Sequence, residues 1–83
     1  MTHVLYFTAD WCNPCQLTRP ITDGLKREGM IDFLYVEIDT EIELSEQFGI
    51  KSIPTYILIQ DGVEVKRMSG KKTRQEFLDF MDV

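Results

Sequence analysis

Apolar and polar positions along this chain follow two periods, and the switches between them mark out seven elements. Residues 3–8 (His-Val-Leu-Tyr-Phe-Thr) are β-branched, aromatic and nearly continuous in apolarity, as for a strand covered on both faces. From Cys12 to Glu28, Leu17, Ile21 and Leu25 recur at i, i+4 and i+8, which predicts one inward face of a helix. Pro20 falls inside that helix, where it costs a backbone hydrogen bond and bends the axis. Residues 33–38 (Phe-Leu-Tyr-Val-Glu-Ile) read as a second strand. A short helix fits 41–48, with Ile42, Leu44 and Phe48 as its apolar positions and Gly49 as its stop. Thr55 to Ile59 and Val63 to Met68 are strands separated by Gln60-Asp61-Gly62, a hairpin signal. Thr73 to Met81 completes the series as a helix. Thr73 caps it, Glu76 stands three residues on as a capping box, and Phe77, Leu78 and Met81 face inward.

The predicted order is β-α-β-α-β-β-α. A strand–helix–strand crossover makes the first two strands parallel, and the hairpin makes the last two antiparallel. The expected fold class is therefore α/β: a four-stranded mixed sheet with helices on both faces. Eighty-three residues suffice for one core and leave little surface to divide between two, so residues 1–83 are read as a single domain. On such sheets functional groups gather beyond the carboxyl ends of the parallel strands. The loop Ala9-Asp10-Trp11 lies there, followed at once by Cys12 and Cys15.

That pair carries the chemistry. In Trp11-Cys12-Asn13-Pro14-Cys15 the two thiols stand at i and i+3 on one helical turn, close enough to join. Cys12 opens the helix, where unpaired backbone N–H groups and the positive dipole end favour a thiolate. Cys15 lies a turn further in and is expected to be more buried and less reactive. Pro14 is tolerated in the first turn, where its missing N–H has no helical partner. A Cys-x-x-Cys ahead of a helix in a βαβ setting signals redox chemistry. As a structural staple the pair would close only a trivial loop. Two other readings stay open at this level, half of a zinc site and a chance pair of buried thiols. Zinc needs four ligands, and the only histidine, His3, falls at the far end of the first strand; no metal or other cofactor is expected.

Charge and hydropathy narrow the setting. A net charge of −5 argues against nucleic acid as partner. No apolar run approaches the roughly 18 residues of a membrane span. The first residues run into a strand without a basic stretch ahead of an apolar one, so no signal peptide is expected and the anticipated location is cytoplasmic. In a reducing compartment a dithiol does redox work more readily than structural work.

Several motifs together resemble the thioredoxin family. They are Phe7-Thr8-Ala9-Asp10-Trp11-Cys12-x-Pro14-Cys15, Pro20 five residues later, Ile38-Asp39, Gly49-Ile50-x-Ser52-Ile53-Pro54-Thr55, Gly62 and Gly70. The likeness covers essentially the whole chain, but the extra N-terminal strand and helix of full-length thioredoxins are absent from it. The resemblance implies a thioredoxin-like fold and a monomeric thiol–disulfide oxidoreductase acting on disulfide-containing proteins, with a flavoprotein disulfide reductase as electron donor. It implies that Cys12 attacks a substrate disulfide and that Cys15 resolves the mixed disulfide. It further implies a cis Pro54, which chain statistics alone disfavour, and substrate pairing to the backbone of Ile53. Trp11, Pro14, Ile53, Pro54 and Gly70 would form the substrate-binding surface. Two other classes remain open: a glutaredoxin-like, glutathione-dependent reductase, and a non-catalytic partner subunit that uses only the surface.

Departures from the family pattern matter too. Tyr6 stands where thioredoxins carry a buried Asp, and Tyr35 stands where they carry its Lys partner. Both charges are replaced together, which avoids a lone buried charge. Asn13 replaces the usual Gly between the cysteines, so Tyr6 and Asn13 are expected to tune the redox pair. Finally, Glu37, Asp39, Glu41, Glu43 and Glu46 form an acidic stretch, while Lys66, Arg67, Lys71, Lys72 and Arg74 hold five of the nine basic residues. Solvated surface is the first reading of both. The sharper alternative is that the basic segment, flanking Gly70, steers acidic partner proteins.

Overall fold

The computed structural model describes residues 1–82. Its elements are β1 (Thr2–Thr8), α1 (Asn13–Arg27), β2 (Phe33–Glu37), α2 (Ile42–Gln47), β3 (Thr55–Gln60), β4 (Val63–Ser69) and α3 (Arg74–Phe80), in the order expected. The sheet runs β2-β1-β3-β4. β1 is parallel to β2, with Tyr6 opposite Tyr35, and β3 is antiparallel to β4. The sequence pattern did not say which strand flanks β1 on its other side. It is β3, antiparallel, with Tyr6 opposite Tyr56.

Period-two alternation divides the apolar strand residues between two faces. Val4, Tyr6, Phe33, Tyr56 and Leu58 point to one face and are covered by Leu25 of α1 and by Phe77 and Phe80 of α3. Leu5, Phe7, Val36, Ile57 and Ile59 point to the other, where Leu44 and Phe48 of the α2 segment pack on them. Helices thus cover both faces, and β1 is buried from Val4 to Thr8.

The inward stripe of α1 differs from the expected one. Cys15, Thr18, Thr22 and Leu25 are buried, whereas Leu17 is 54% exposed and Ile21 only half-buried. The reason lies in the sheet beneath. Tyr35, Tyr6 and Tyr56 stand in one row across β2, β1 and β3, with ring centroids 5.4 and 4.8 Å from Tyr6. Buried threonine hydroxyls suit that surface. Thr22 Oγ1 lies 3.1 Å from the Tyr35 hydroxyl, and Thr18 Oγ1 donates to the Pro14 carbonyl at 2.9 Å. Apolar periodicity is blind to a stripe of this composition. In α2, likewise, Ile42 is 56% exposed while Leu44 and Phe48 pack inward. In α3, Phe80 joins Phe77 in the core, and Leu78 and Met81 are half-buried against it.

Local chemistry sets the element ends. The Thr73 side chain accepts from the Glu76 N–H at 3.2 Å and Glu76 returns the contact at 3.0 Å, the capping box expected. Gly49 ends α2 at φ +63°, donating to Glu46, while the Ile50 N–H reaches the Ser45 carbonyl. An αL residue at this point is most easily a glycine. Asp61 and Gly62, at φ +52° and +82°, make the tight β3–β4 turn. At the β2 edge of the sheet, Lys26 Nζ donates to the Phe33 carbonyl at 2.7 Å. The Thr40 and Glu41 N–H groups donate to the Glu37 carbonyl at 3.2 and 2.9 Å.

Candidate active site

β1 ends at Thr8, and the chain turns through Ala9-Asp10-Trp11 into α1, so both cysteines arrive at the carboxyl end of a central strand. The turn is held from two directions. The Cys12 N–H donates to the Ala9 carbonyl at 3.1 Å, and Gln16 Nε2 donates to the same oxygen at 3.1 Å. Cys12 is the N-cap of α1: its Sγ accepts from the Cys15 N–H at 3.3 Å. Sulfur here takes the place that an oxygen acceptor usually fills at a helix start. Cys12 and Cys15 are joined as a disulfide, with Cα atoms 5.3 Å apart. Cys12 keeps 5% of its surface exposed and Cys15 none.

The surroundings are apolar. Ala9, Cys12 and Cys15 form one buried cluster, against which Ile38 and Ile53 pack half-buried. The Ile53–Pro54 bond is cis. Pro54 is fully buried, and its carbonyl accepts from the Gly70 N–H at 2.9 Å, which ties the loop before β3 to the end of β4. Trp11 is 67% exposed, yet its indole N–H donates to Asp39 Oδ2 at 2.8 Å, so a specific contact fixes the ring. Asn13 and Pro14 are exposed on the first turn of α1. Of the expected residues, Cys12, Cys15 and Ile53 come together in one cluster, and Pro54 and Gly70 are bonded to each other. Asp39, Gln16 and Ile38 are site neighbours that residue chemistry did not single out, although Ile38-Asp39 belonged to the family pattern.

Tyr6 is placed behind the pair. Its hydroxyl donates to the Cys15 backbone carbonyl at 2.9 Å, and not to a sulfur. Burial, with Tyr56 alongside, pushes its pKa far above the usual tyrosine range, so it stays a protonated donor. The hydroxyl of Tyr56, also buried, lies beside those of Tyr6 and Thr18 but makes no hydrogen bond of good geometry among the described residues. Tyr35 donates instead to Asp23, under the Arg19 guanidinium 3.5 Å from its ring centroid. That hydrogen bond, with Arg19 beside it, holds the Asp23 carboxyl below its ordinary range.

The basic segment does not present free cations toward the site as a block. Arg67 pairs with Glu64, Arg74 with Glu28 and Lys72 with Glu76. Lys66 donates to the Asp82 carbonyl at 2.9 Å. Three of the five bases thus have carboxylate partners, while Lys66 keeps its charge on a backbone carbonyl and Lys71 makes no ion pair among the described residues.

Residues 1–83 match the family model Thioredoxin. The chain belongs to the thioredoxin family. It is 40% identical over 73 residues to a thioredoxin of Chlamydia muridarum, spanning 87% of this chain and 72% of that one. A tobacco (Nicotiana tabacum) thioredoxin of the H type is 37% identical over 73 residues, 87% of this chain and 58% of its own. Among solved structures, a thioredoxin variant of Halobacterium salinarum superposes with a TM-score of 0.90 at 26% identity. The superposition covers 98% of this chain and 72% of that one. The Fasciola hepatica thioredoxin gives 0.89 at 29% identity, covering 98% and 78%. The chain is a thiol–disulfide oxidoreductase, a protein-disulfide reductase acting on disulfide substrates. No helix among the described residues is long and apolar enough to cross a membrane.

Proposed function

We propose that Cys12 is the attacking thiol and Cys15 the resolving one. The observation that carries this is the placement of Cys12 Sγ as the N-cap of a 15-residue helix, at the more accessible end of the pair. A thiolate there faces the helix-terminal N–H groups and the positive end of the dipole. In the first step that thiolate attacks one sulfur of a substrate disulfide. A Cys12–substrate disulfide forms, and the other substrate sulfur leaves as a thiolate that takes up a proton. In the second, the Cys15 thiolate attacks Cys12 Sγ, expels the remaining substrate sulfur and closes the Cys12–Cys15 disulfide. Two electrons pass to the substrate, and the enzyme must be re-reduced for another turn.

In this proposal Trp11, Pro14, Ile53, Pro54 and Gly70 bind the substrate. Trp11 is held on the surface by Asp39, and Ile53 lies against the dithiol, both supporting a contact surface around Cys12. Pro54 acts from within, its carbonyl fixing Gly70. Asn13, next to the nucleophile, and Tyr6, bonded to the Cys15 carbonyl, tune the pair. The chain works as one domain over residues 1–83, as a monomer in the cytoplasm, with a flavoprotein disulfide reductase returning electrons. A reducing compartment, where the resting dithiol is kept reduced, suits that cycle.

The test is insulin disulfide reduction, supplied in turn by NADPH with thioredoxin reductase and by glutathione. Turnover with the flavoprotein alone is expected. Turnover with glutathione alone would move the chain to the glutathione-dependent class, and activity surviving Cys12→Ser would refute the roles assigned.

A further inference from the structure

Three hydrogen bonds close a ring around Cys12. Its N–H donates to the Ala9 carbonyl at 3.1 Å, and Gln16 Nε2 donates to that same oxygen at 3.1 Å. The Gln16 backbone N–H completes the ring by donating to the Cys12 carbonyl, again at 3.1 Å. One residue therefore grips Cys12 from both sides, through its side chain ahead of the cysteine and through its main chain behind it. The Asp10 carbonyl also lies 3.5 Å from the amide nitrogen. That nitrogen thus faces two carbonyl oxygens, and only the NH2 end of an amide suits such neighbours.

The ring encloses the residue at which the backbone changes course. Cys12 is extended, with φ −87° and ψ 106°, while the chain is helical from Asn13 onward. That junction carries Sγ over the first turn of α1, where it accepts from the Cys15 N–H at 3.3 Å. The Cys12–Ala9 bond by itself closes the turn but leaves its angle to the helix free. Among the described residues Gln16 is the only one on α1 whose side chain hydrogen-bonds to residues 9–11, so it alone sets that angle by a polar contact.

Gln16 brings no charge to this task. The titratable groups nearest Cys12 on the elements packed around it are Cys15 on α1, Tyr6 on β1, Asp10 in the turn, Asp39 beside Ile38 and Lys51 two residues before Ile53. A neutral substitution at position 16 leaves all of them in place.

We propose that Gln16 is a positioning residue for the attack on substrate disulfides: it holds Cys12 at the head of α1, where the helix-terminal N–H groups favour the thiolate. The inference rests on the cysteine roles given above and adds the group that makes the cap a fixed one. Gln16 acts on the sulfur only through the turn and the cap.

The experiment follows alkylation of the full reduced chain in a Cys15→Ser background, where Cys12 is the only thiol and the titration belongs to one group. Gln16→Met keeps the length and helix propensity of the side chain and removes its donor. At about pH 6 this variant should react about five-fold more slowly, and the two proteins should converge above about pH 10, where the thiol is ionised in both. The ultraviolet absorbance of the thiolate should titrate at a correspondingly higher pH. Gln16→Lys restores an N–H donor at similar reach and should recover the rate. The recovery should persist in about 0.5 M salt, where an added exposed charge is screened. Superimposable pH profiles for the parent and Gln16→Met, a slowing equal at every pH, or a recovery lost in salt would each overturn the proposal. Insulin reduction that survives Cys12→Ser would instead refute the cysteine roles, and it is read without any change at Gln16.

Discussion

Tyr6 and Tyr56 are neighbours across β1 and β3, both fully buried in the same aromatic row, yet their hydroxyls have opposite fates. Tyr6 donates to the Cys15 carbonyl at 2.9 Å, whereas the Tyr56 hydroxyl, near those of Tyr6 and Thr18, makes no hydrogen bond of good geometry among the described residues. Phe in either place keeps the ring contacts: for Tyr6 those with Phe33, Tyr35 and Tyr56, and for Tyr56 those with Tyr6 and Phe77. Each substitution therefore isolates one hydroxyl. Removing a made hydrogen bond costs about 1 kcal/mol net, and leaving a buried acceptor short adds to it. Tyr6→Phe should thus destabilise by about 1–2 kcal/mol. Removing an unmade one relieves a desolvation penalty, so Tyr56→Phe should be neutral or stabilise by up to about 1 kcal/mol. For 83 residues the unfolding entropy is roughly 170 cal/mol/K, so each kcal/mol moves Tm by about 6 °C. Urea unfolding of the oxidised protein, with unchanged m-values, gives the comparison directly. Equal losses in the two variants would refute the distinction, and a Tyr6→Phe variant as stable as the parent would remove the anchor at Cys15.

Other expectations follow from the same geometry. Limited alkylation of the reduced protein near neutral pH should label Cys12 before Cys15, because only Cys12 keeps exposed surface; mass mapping that finds Cys15 modified first would reverse the two roles. Cys15→Ser should accumulate a mixed disulfide through Cys12 that is visible on non-reducing gels, and rapid clearance of that species without added thiol would refute a resolving function for Cys15. The Asp23 carboxyl is held low by Tyr35 and Arg19, so its stabilisation is fully present above its unfolded value of about 3.8 and is lost as pH falls through the lower folded value. Asp23→Asn should accordingly flatten the acid side of the stability profile, and parallel profiles would exclude that contribution. Thr73→Ala removes the side-chain cap of α3 and should cost about 1 kcal/mol, measured by thermal unfolding.

Much of the fold was legible because its signals were local. The Asp61-Gly62 turn, the Thr73–Glu76 box and the Gly49 stop each act within a few residues, and all three appear where the pattern placed them. Position of the cysteines was equally readable, since a helix start needs only its own flanking residues. The buried stripe of α1 was not. Thr18 and Thr22 are interior because tyrosines from two distant strands lie beneath them, and polarity alone marks such residues as exposed. The same limit concealed the contact between Trp11 and Asp39, which lie 28 positions apart. Charge was the least legible feature. Five clustered bases read as a patch, but Glu28 reaches Arg74, 46 positions away, only once the chain is folded.

The lysine of α1 that reaches the outer strand has a consequence for life at high concentration. β2 offers its free side to any extended chain that drifts past, and such edges are the usual starting points of aggregation and of runaway strand addition. Here two of its carbonyls are already taken, one by the Lys26 ammonium and one by the backbone of Thr40 and Glu41. An intruding strand must evict a cation at one end and unravel a turn at the other before it can pair across more than the middle residue. The Lys26 contact thus closes one end of this edge, and Lys26→Met would free the Phe33 carbonyl for pairing while Thr40 and Glu41 still hold the Glu37 carbonyl.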